Sequence, residues 1–500
     1  MSKLTRRGYA GRGRGRASYV DVPREFTGTT AQVCGLWPWS VGSTSPTTGV
    51  PIGPHLSGET TVNFDCISWF EDAKIVLNPS VFVLGLPAIG KSTFIRRQVL
   101  GLAGNGVIPL ILGDLKPDYV DLIRSIGGQV VSYGRGAASL NILAVGAMDT
   151  AARAVEDLAK TEPDRRKDLF AEADRLRSEA HSRRLNAVCA QLALVRRQPL
   201  QDYEEVVLSA ALRELVARWR RRKLPPVMAD LHALIDDAPE HVKKVTGYRG
   251  SEDRYRAAVD KLQQTILAWL DGPLGEVFGR QTSTSIELDN PGGVCIDISG
   301  ISRGDVTLQA AALLACWSEG FGHVEAANAL ADVGAGPQRR YFVVLDELWR
   351  PLAAAVPGVV DRINELTRLN RGDAVGVAMI THSLADLRAM RDQADQAKAA
   401  GFVERAGAVV CGGLPLKELA ELTNIVPFTD AERAMIASWA TPPGWDSAKT
   451  PPGMGCFLLK VGQRPGIPVR VQLTQAELDA DVNDTNRRWT PTAEAVPDGA

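Results

Sequence analysis

One loop constrains the fold of this chain more than any other part of its sequence. Residues 85–92 satisfy the pattern G-x-x-x-x-G-K-[ST], which ends in Lys91 and Ser92. The apolar run at 81–84 predicts a short buried strand, and residues 92–101 predict a helix. Glycines let such a loop wrap phosphates with its backbone N–H groups, and the positive end of the following helix faces them. The pattern therefore predicts a strand, loop and helix that bind a nucleotide.

The expected ligand of this loop is ATP with Mg²⁺. In loops of this type the lysine, here Lys91, reaches the β- and γ-phosphates, and the hydroxyl that follows, here on Ser92, binds Mg²⁺. The residues expected to surround the phosphates are Gly85, Leu86, Pro87, Ala88, Ile89, Gly90, Lys91, Ser92 and Thr93. Proline and alanine are unusual occupants of the loop, but phosphate contact needs neither side chain.

A second apolar run ends in two acids. Residues 341–345 predict a buried strand, and Asp346 and Glu347 follow it directly. Parallel strands deliver such carboxylates to the carboxyl edge of the sheet, where the phosphate-binding loop also lies. We expect Asp346 to contribute to the Mg²⁺ site and Glu347 to polarise the attacking water. The simpler alternative is an acidic pair that only caps the strand and opens a helix. The sequence has no Asn-Lys-x-Asp motif for guanine, so a GTPase is not expected.

Three further residues are candidates for the same site. His382 follows the predicted strand at 374–380, and it could sense the γ-phosphate by donating a hydrogen bond. An ordinary strand-ending histidine is the alternative. Arg368 and Arg371 lie on the predicted helix before that strand. Either arginine could stabilise transition-state charge in a neighbouring subunit, although arginines on helix surfaces more often have no such role.

Short apolar strands alternate with helices on either side of one purely helical stretch. The predicted strands include residues 81–84, 108–112, 129–133, 285–288, 294–298, 341–345, 375–381 and 408–410, with a hairpin from 456–459 to 469–471. This alternation predicts an α/β fold with a parallel sheet that has helices on both faces. The predicted divisions are a disordered Arg/Gly tail (1–19), a strand and turn segment packed on the core (20–80), the α/β core (81–148 and 273–475), an all-helical insertion (149–272) and a C-terminal tail (476–500).

Charge, cysteines and hydropathy exclude several classes of protein. The 57 Lys and Arg residues balance 58 Asp and Glu residues, so no general affinity for nucleic acid or anionic lipid is expected. The seven cysteines are scattered without a Cys-x-x-Cys pair, which argues against a disulfide framework or a zinc site. No secretion signal and no uninterrupted run of 18 apolar residues occurs. We therefore expect a cytoplasmic protein that reaches the inner face of a membrane only through partner proteins.

Several motifs together resemble the large cytoplasmic ATPase of type IV secretion and conjugation machines. Besides the phosphate-binding loop, they are residues 114–119 (Asp-Leu-Lys-Pro-Asp-Tyr), 127–128, 140–143, 279–282, 296–299, 346–349, 368–371 and 455–459, with Glu477 near the end. The resemblance implies a RecA-like P-loop NTPase of the FtsK/HerA class with a mostly parallel sheet and an all-helical insertion lobe. It also implies a homohexamer that hydrolyses ATP beside other components of a membrane secretion or conjugation complex. The family commonly has glutamine where His382 stands, and many members carry a large N-terminal domain before the motor.

Two other functions are compatible with the same residues. A DNA-translocating coupling or segregation ATPase of the same superfamily would share the catalytic residues, although coupling ATPases usually bring transmembrane helices. DNA contact could come from two basic runs, although such charge on amphipathic helices is usually a solvated face; the runs are Arg183, Arg184, Arg196 and Arg197, and Arg218, Arg220, Arg221, Arg222 and Lys223. The second alternative is a nucleotide-dependent assembly scaffold with little turnover, against which Glu347 argues.

Overall fold

The computed structural model describes residues 46–480, apart from 59, 145, 220–221, 223, 354–371, 373, 386–392, 442–450 and 452, together with two short strands near the N-terminus. The chain divides into two compact units, Met1–Ser43 and Thr44–Ala500. In the first unit, β1 (Leu4–Thr5) and β2 (Gly8–Tyr9) pair as an antiparallel ribbon. The other residues of the predicted Arg/Gly tail, and the predicted C-terminal tail beyond residue 480, lie outside the described residues.

A nine-stranded sheet organises the described part of the second unit. Its strands are β5 (Ser80–Leu84), β6 (Val107–Asp114), β7 (Gln129–Ser132), β8 (Val294–Asp297), β9 (Arg340–Leu345), β10 (Val375–Ile380), β11 (Ala408–Cys411), β12 (Cys456–Lys460) and β13 (Ile467–Arg470). Their order is β13-β12-β11-β5-β10-β9-β6-β8-β7. The strands from β11 to β7 are parallel, and β12 and β13 form the antiparallel end. The predicted mostly parallel α/β sheet is confirmed.

Side chains alternate between two buried faces along the central strands, because successive residues of a strand point to opposite sides. In β9, Tyr341, Val343 and Leu345 belong to one apolar cluster, whereas Phe342 and Val344 belong to the other. All five side chains are buried. Helices cover both faces of such a sheet, which explains why its central strands are continuous apolar runs.

One face is covered by three helices and a small second sheet. These elements are α1 (Cys66–Glu71), α2 (Lys91–Gly104) and α3 (Val120–Ser125), with the antiparallel pair β3 (Pro51–Pro54) and β4 (Thr61–Asn63). Aromatic rings join them: Phe64 packs edge-on to Trp69, and Phe94 of α2 contacts both Phe64 and Phe457. The segment before β5 therefore packs directly on this face.

The other face carries the helical insertion. Its helices are α4 (Gly146–Thr161), α5 (Arg166–Arg196), α6 (Asp202–Trp219), α7 (Met228–Asp236), α8 (Glu240–Lys244), α9 (Glu252–Asp271) and α10 (Pro273–Phe278). Buried residues from the second half of α5 to α10, such as Val188, Leu212 and Trp269, form one apolar cluster with Leu84 and Leu112 of the sheet, whereas α4 and the first half of α5 form a separate cluster with the end of the helix at 306–332. The insertion from the second half of α5 onward therefore shares its core with the sheet.

A long helix, α11 (Val306–Asp332), lies between the insertion and the sheet. It approaches β6 so closely at Gly320 that a Cβ atom there would lie 2.4 Å from the side chain of Leu112. The other helices in the described residues are α12 (Trp349–Ala353), α13 (Gln393–Arg405), α14 (Leu416–Leu422), α15 (Asp430–Trp439) and α16 (Gln475–Asp479). None of the described helices is long and apolar enough to cross a membrane.

One predicted strand is wrong. Residues 285–288 are irregular, although Ile286 and Leu288 are buried. The backbone of this segment forms hydrogen bonds with a side chain instead of with a neighbouring strand: the Gln129 amide donates to Ser285 O (2.9 Å) and accepts from Glu287 N (2.9 Å). The apolar alternation predicted burial correctly, but it could not predict which partners form hydrogen bonds with the backbone N–H and C=O groups.

Candidate nucleotide-binding site

Three neighbouring strands bring the predicted site residues to one edge of the sheet. β10 lies between β5 and β9 and pairs in parallel with both. The pairing continues past the strand ends, because Thr381 N donates to Val83 O (3.1 Å) and Leu348 N donates to Ile380 O (3.1 Å). The phosphate-binding loop, His382 and the acidic pair thus follow three strands whose ends are held together.

The phosphate-binding loop joins β5 to α2 through two residues with left-handed backbone. Gly90 has φ of 101° and caps α2, and Ala88 has φ of 63°. Glycine adopts this conformation freely, whereas an alanine pays roughly 1–2 kcal/mol for it. Such local strain is typical of loops that are shaped by function rather than by intrinsic preference.

Two backbone hydrogen bonds hold this loop from outside. Leu86 N donates to Gly413 O (3.0 Å), and Gly455 N donates to Ile89 O (2.9 Å). Gly413 follows β11 and Gly455 directly precedes β12. The loop is therefore tied to the strands that lie on the opposite side of β5 from the acidic pair.

Lys91, the first residue of α2, turns its side chain into the loop and is only 7% exposed. Its Nζ donates to Gly85 O (2.7 Å) and Leu86 O (3.1 Å), and lies 2.9 Å from His382 Nδ1. A buried ammonium requires such acceptors, because an unpaired one is costly. The amino group therefore lies within the loop, where the lysine of this motif meets phosphates.

The two residues predicted for Mg²⁺ bond to adjacent residues of the loop after β6. Ser92 Oγ donates to Asp118 Oδ2 (3.2 Å), and the hydroxyl of Tyr119 donates to Asp346 Oδ2 (3.2 Å). Mg²⁺ prefers oxygen ligands and is commonly held by one or two carboxylates together with substrate phosphates. The hydroxyl and carboxylate oxygens gathered here fit that ion, and the assignment of Ser92 and Asp346 to it stays a prediction.

The electrostatics of Asp346 also suit a cation. Its pKa is raised to about 6: burial is the largest cause and the carboxylates of Glu347 and Asp118 add to it, while a hydrogen bond from Glu347 N to Asp346 Oδ1 (2.8 Å) and the charge of Lys116 oppose the rise. A nearby positive charge favours the ionised form of a carboxyl group. Binding of a divalent cation would therefore relieve the cost of ionising Asp346.

Glu347 is buried at the end of β9, 5% exposed, with a left-handed backbone (φ of 53°). Its Oε1 contacts Lys116 Nζ, and its Oε2 contacts Trp349 Nε1 and lies 3.5 Å from His382 Nε2. Burial acts to raise the pKa of Glu347, but the hydrogen bonds from His382 and Lys116 outweigh it and hold the pKa well below its usual range. The side chain is therefore a buried anion held between two basic residues.

His382 connects the phosphate-binding loop to the acidic pair. An ammonium has only donors, so His382 Nδ1 accepts from Lys91 and the proton of the neutral ring lies on Nε2. That Nε2 faces Glu347. The ring thus bridges the two residues with the clearest predicted roles in hydrolysis, and its role as a γ-phosphate sensor stays a prediction.

Sequence reasoning from the residues did not assign roles to three contacts of the acidic pair, which are Lys116, Tyr119 and Trp349. The first two belong to the Asp-Leu-Lys-Pro-Asp-Tyr segment and the third to the 346–349 segment, which entered only through the family resemblance. Only the strand order identifies these contacts: β6 is the neighbour of β9, so the loop after β6 lies beside the residues after β9. That order is a tertiary property and cannot be read from either segment alone.

The remaining arginine candidates have different outcomes. Arg368 and Arg371 lie outside the described residues. Three arginines considered for DNA contact are instead paired inside the helical insertion or with α11, with side chains 4–10% exposed. The pairs are Arg183 with Glu325, Arg184 with Asp149, and Arg196 with Glu204 (2.6 Å). These three side chains stabilise the fold and are not presented to a phosphate backbone.

Comparison with solved structures shows the fold. The chain superposes on VirB4 of Thermoanaerobacter pseudethanolicus with a TM-score of 0.62 and 16% sequence identity, covering 87% of this chain and 100% of that one. A bacterial conjugative coupling protein, TrwBdeltaN70 in its unbound monoclinic form, matches with a TM-score of 0.47 and 14% identity over 86% of this chain and 90% of that one. The plasmid coupling protein TrwB in complex with ADP and Mg²⁺ matches with a TM-score of 0.46 and 14% identity over 81% and 87%.

At the level of sequence, no family model and no curated protein matches this chain significantly. The VirB4 superposition, together with the strand order, confirms the predicted RecA-like P-loop fold class. At 16% identity the match establishes the architecture of the chain and leaves its activity to be argued from the site.

Proposed function

We propose that this chain is an ATPase that powers a type IV secretion or conjugative DNA-transfer apparatus. The observation that supports hydrolysis most directly is the chain of contacts from Lys91 through His382 to Glu347. One imidazole thus lies between Lys91, for which we propose phosphate binding, and the buried carboxylate of Glu347. The resemblance of the motifs, together with the VirB4-like fold, supports the choice of a secretion or conjugation motor.

The reaction transfers the γ-phosphoryl group of ATP to water, giving ADP and phosphate. Lys91 and the N-terminus of α2 bind the β- and γ-phosphates, because both present positive charge at the loop. Ser92 and Asp346 would hold Mg²⁺, which neutralises charge on the phosphates. Glu347 accepts a hydrogen bond from the attacking water and orients it toward phosphorus, while the bond between phosphorus and the ADP oxygen breaks.

Assembly into a homohexamer is part of the same proposal. In such a ring Arg368 or Arg371 would reach the nucleotide of the neighbouring subunit and stabilise the transition state. We propose that the ring works on the cytoplasmic side of a membrane complex, to which partner proteins attach it. Direct contact with DNA stays a prediction that turnover with and without single- and double-stranded DNA would test.

Two variants test the proposed chemistry. Glu347→Gln keeps the shape of the side chain but removes its charge, so Mg-ATP should still bind while kcat falls roughly 10²–10⁴-fold. Lys91→Ala should weaken ATP binding itself. Both are measured on purified protein by phosphate release and by equilibrium binding of a labelled ATP analogue. A Glu347→Gln variant with near wild-type turnover would remove this residue from catalysis and revive the scaffold alternative.

A further inference from the structure

Glu347 is held by donors from three separate segments. Lys116 comes from the loop after β6, His382 from the end of β10 and Trp349 from the start of α12. Lys116 engages one carboxylate oxygen and the other two donors face the second oxygen. Glu347 also has a left-handed backbone, which is uncommon for a residue other than glycine.

The loop that carries Lys116 is shaped by a buried side chain. Asp114, 2% exposed, accepts hydrogen bonds from the backbone N–H groups of Lys116 (3.2 Å), Asp118 (3.0 Å) and Tyr119 (2.7 Å). Three bonds to one carboxylate define the course of the turn that projects Lys116. The loop therefore presents its lysine in a specified direction, toward the neighbouring strand β9.

The simplest alternative is that Lys116 forms an ordinary surface ion pair. Such pairs contribute little, because water and salt screen both charges and both side chains lose freedom. Here the Lys116 side chain is 42% exposed but the carboxylate it meets is 7% exposed. A charge-assisted hydrogen bond to a buried carboxylate is stronger and more directional than a solvated pair. It can therefore set the orientation of Glu347.

We propose that Lys116 is a positioning residue, which acts on hydrolysis by fixing the carboxylate of Glu347 in the direction that water requires. This inference rests on the proposed function, because it assigns Glu347 a role in orienting water. Lys116 itself contacts neither phosphate nor water in this role. Its effect must therefore disappear when Glu347 cannot act.

The test is a double-mutant cycle between Lys116 and Glu347. Lys116→Met retains the length of the side chain without its charge, and should lower kcat about 10- to 100-fold while KM and the affinity for an ATP analogue change less than threefold. Lys116→Arg, which keeps a donor and a charge, should recover at least part of the loss. In the Glu347→Gln background, Lys116→Met should change the single-turnover rate less than twofold.

The neighbouring contact supplies a matched control. Trp349→Phe removes a neutral donor from the same carboxylate and should lower kcat less than Lys116→Met does. Thermal melting of each variant, with an unchanged transition, verifies that the fold is intact; if Lys116→Met does not fold, Lys116→Gln replaces it. Equal losses from Lys116→Met in both backgrounds, or a loss confined to nucleotide affinity, would overturn the positioning role. Full turnover by Glu347→Gln alone would instead overturn the proposed function.

Discussion

Two groups of polar side chains, each gathered around a buried carboxylate, are built on different principles. In the helical insertion, Arg196 of α5 forms two hydrogen bonds to Glu204 of α6 (2.6 and 2.9 Å) and bonds to Thr265 of α9 (2.9 Å). At the sheet edge, Lys91, His382, Glu347 and Lys116 meet by single contacts. All the partners in the first group lie on helices, whereas three of the four residues in the second follow strand ends.

The difference separates a structural ion pair from a site that can exchange partners. A bidentate arginine–carboxylate pair between packed helices has a defined geometry that a single flexible contact lacks. An ammonium such as that of Lys91 has a flexible stem and rotatable donors, so phosphate oxygens can replace backbone carbonyls without moving the backbone. The predictions below use the insertion as the reference for the sheet edge.

The largest effect on turnover is expected if a neighbouring subunit supplies an arginine to the nucleotide site at the edge of the sheet. Removing Arg371, or Arg368, should lower turnover about 10³-fold or more, because a positive charge at the transition state is lost. Mixing inactive Lys91→Ala subunits with inactive Arg371→Ala subunits should restore activity, because some interfaces combine an intact loop with an intact arginine. Phosphate release from the mixed protein measures the recovery, and Arg368→Ala is tested in the same way.

The structure supplies a control for that mixing experiment. Lys91 and Glu347 are linked through His382 within one chain, so a mixture of Lys91→Ala and Glu347→Gln subunits has no complete site and should stay inactive. Recovery in this control, absence of recovery with both arginine variants in verified mixed rings, or full turnover by a dilute monomer would contradict the trans arginine.

The insertion should respond in stability rather than in chemistry. Glu204→Ala leaves the buried Arg196 without its carboxylate, and removal of one partner of a buried pair costs about 3–5 kcal/mol. Unfolding by urea measures the loss, while kcat per folded molecule should remain within a factor of about two because no site residue is touched. Glu347→Gln should show the reverse, with small change in stability and large loss of turnover. Similar losses of stability in Glu204→Ala and Glu347→Gln would contradict the distinction between a structural ion pair and a functional site.

Acid should weaken the same pair. Burial acts to raise the pKa of Glu204, but hydrogen bonds from Arg196 and from the backbone of Gln201 outweigh it and lower the pKa. A carboxyl group whose pKa is lowered on folding stabilises the fold above its unfolded pKa, and this stabilisation is lost as pH falls through the folded value. As the pH is lowered below the usual range of carboxylate pKa values, the free energy of unfolding of the wild type should therefore decrease by more than that of Glu204→Gln. Urea midpoints measured along a pH series would show equal slopes if the idea is wrong.

The smallest effect concerns backbone conformation, and two alanines should respond with opposite signs. Ala88→Gly should stabilise the protein by up to about 1 kcal/mol, because glycine removes left-handed strain at the cost of some unfolded-state entropy. Ala257→Gly, at an exposed site within α9, should destabilise by about 1 kcal/mol. Denaturation of both variants with the same urea series compares them directly. Destabilisation by Ala88→Gly would show that this left-handed residue is not strained.

Short sequence motifs were sufficient to predict the part of the site that is formed by residues at the ends of parallel strands. The phosphate-binding loop was predicted from its glycine and lysine motif, and the strands at 81–84, 341–345 and 375–381 from short apolar runs; the sheet places these three strands side by side. Parallel strands deliver their final residues to one edge, so this part of the site follows from strand order along a single direction.

Tertiary contacts between residues that are distant in the sequence could not be predicted in the same way. Lys116 lies 231 positions before Glu347 in the sequence, and only the pairing of β6 with β9 brings them together. Similarly, basic runs on amphipathic helices do not reveal that Arg184 and Arg196 are buried against carboxylates. The segment at 285–288 shows the converse, since its apolar alternation predicted burial but not the side chain that replaces a strand.

The two backbone hydrogen bonds that tie the phosphate-binding loop to Gly413 and Gly455 have a mechanical consequence. A load that shifts the loop is shared at once with both ends of the segment between β11 and β12, which contains α14 and α15. A displacement of the loop therefore acts through backbone hydrogen bonds on the antiparallel end of the sheet, on the opposite side of β5 from Asp346 and Glu347.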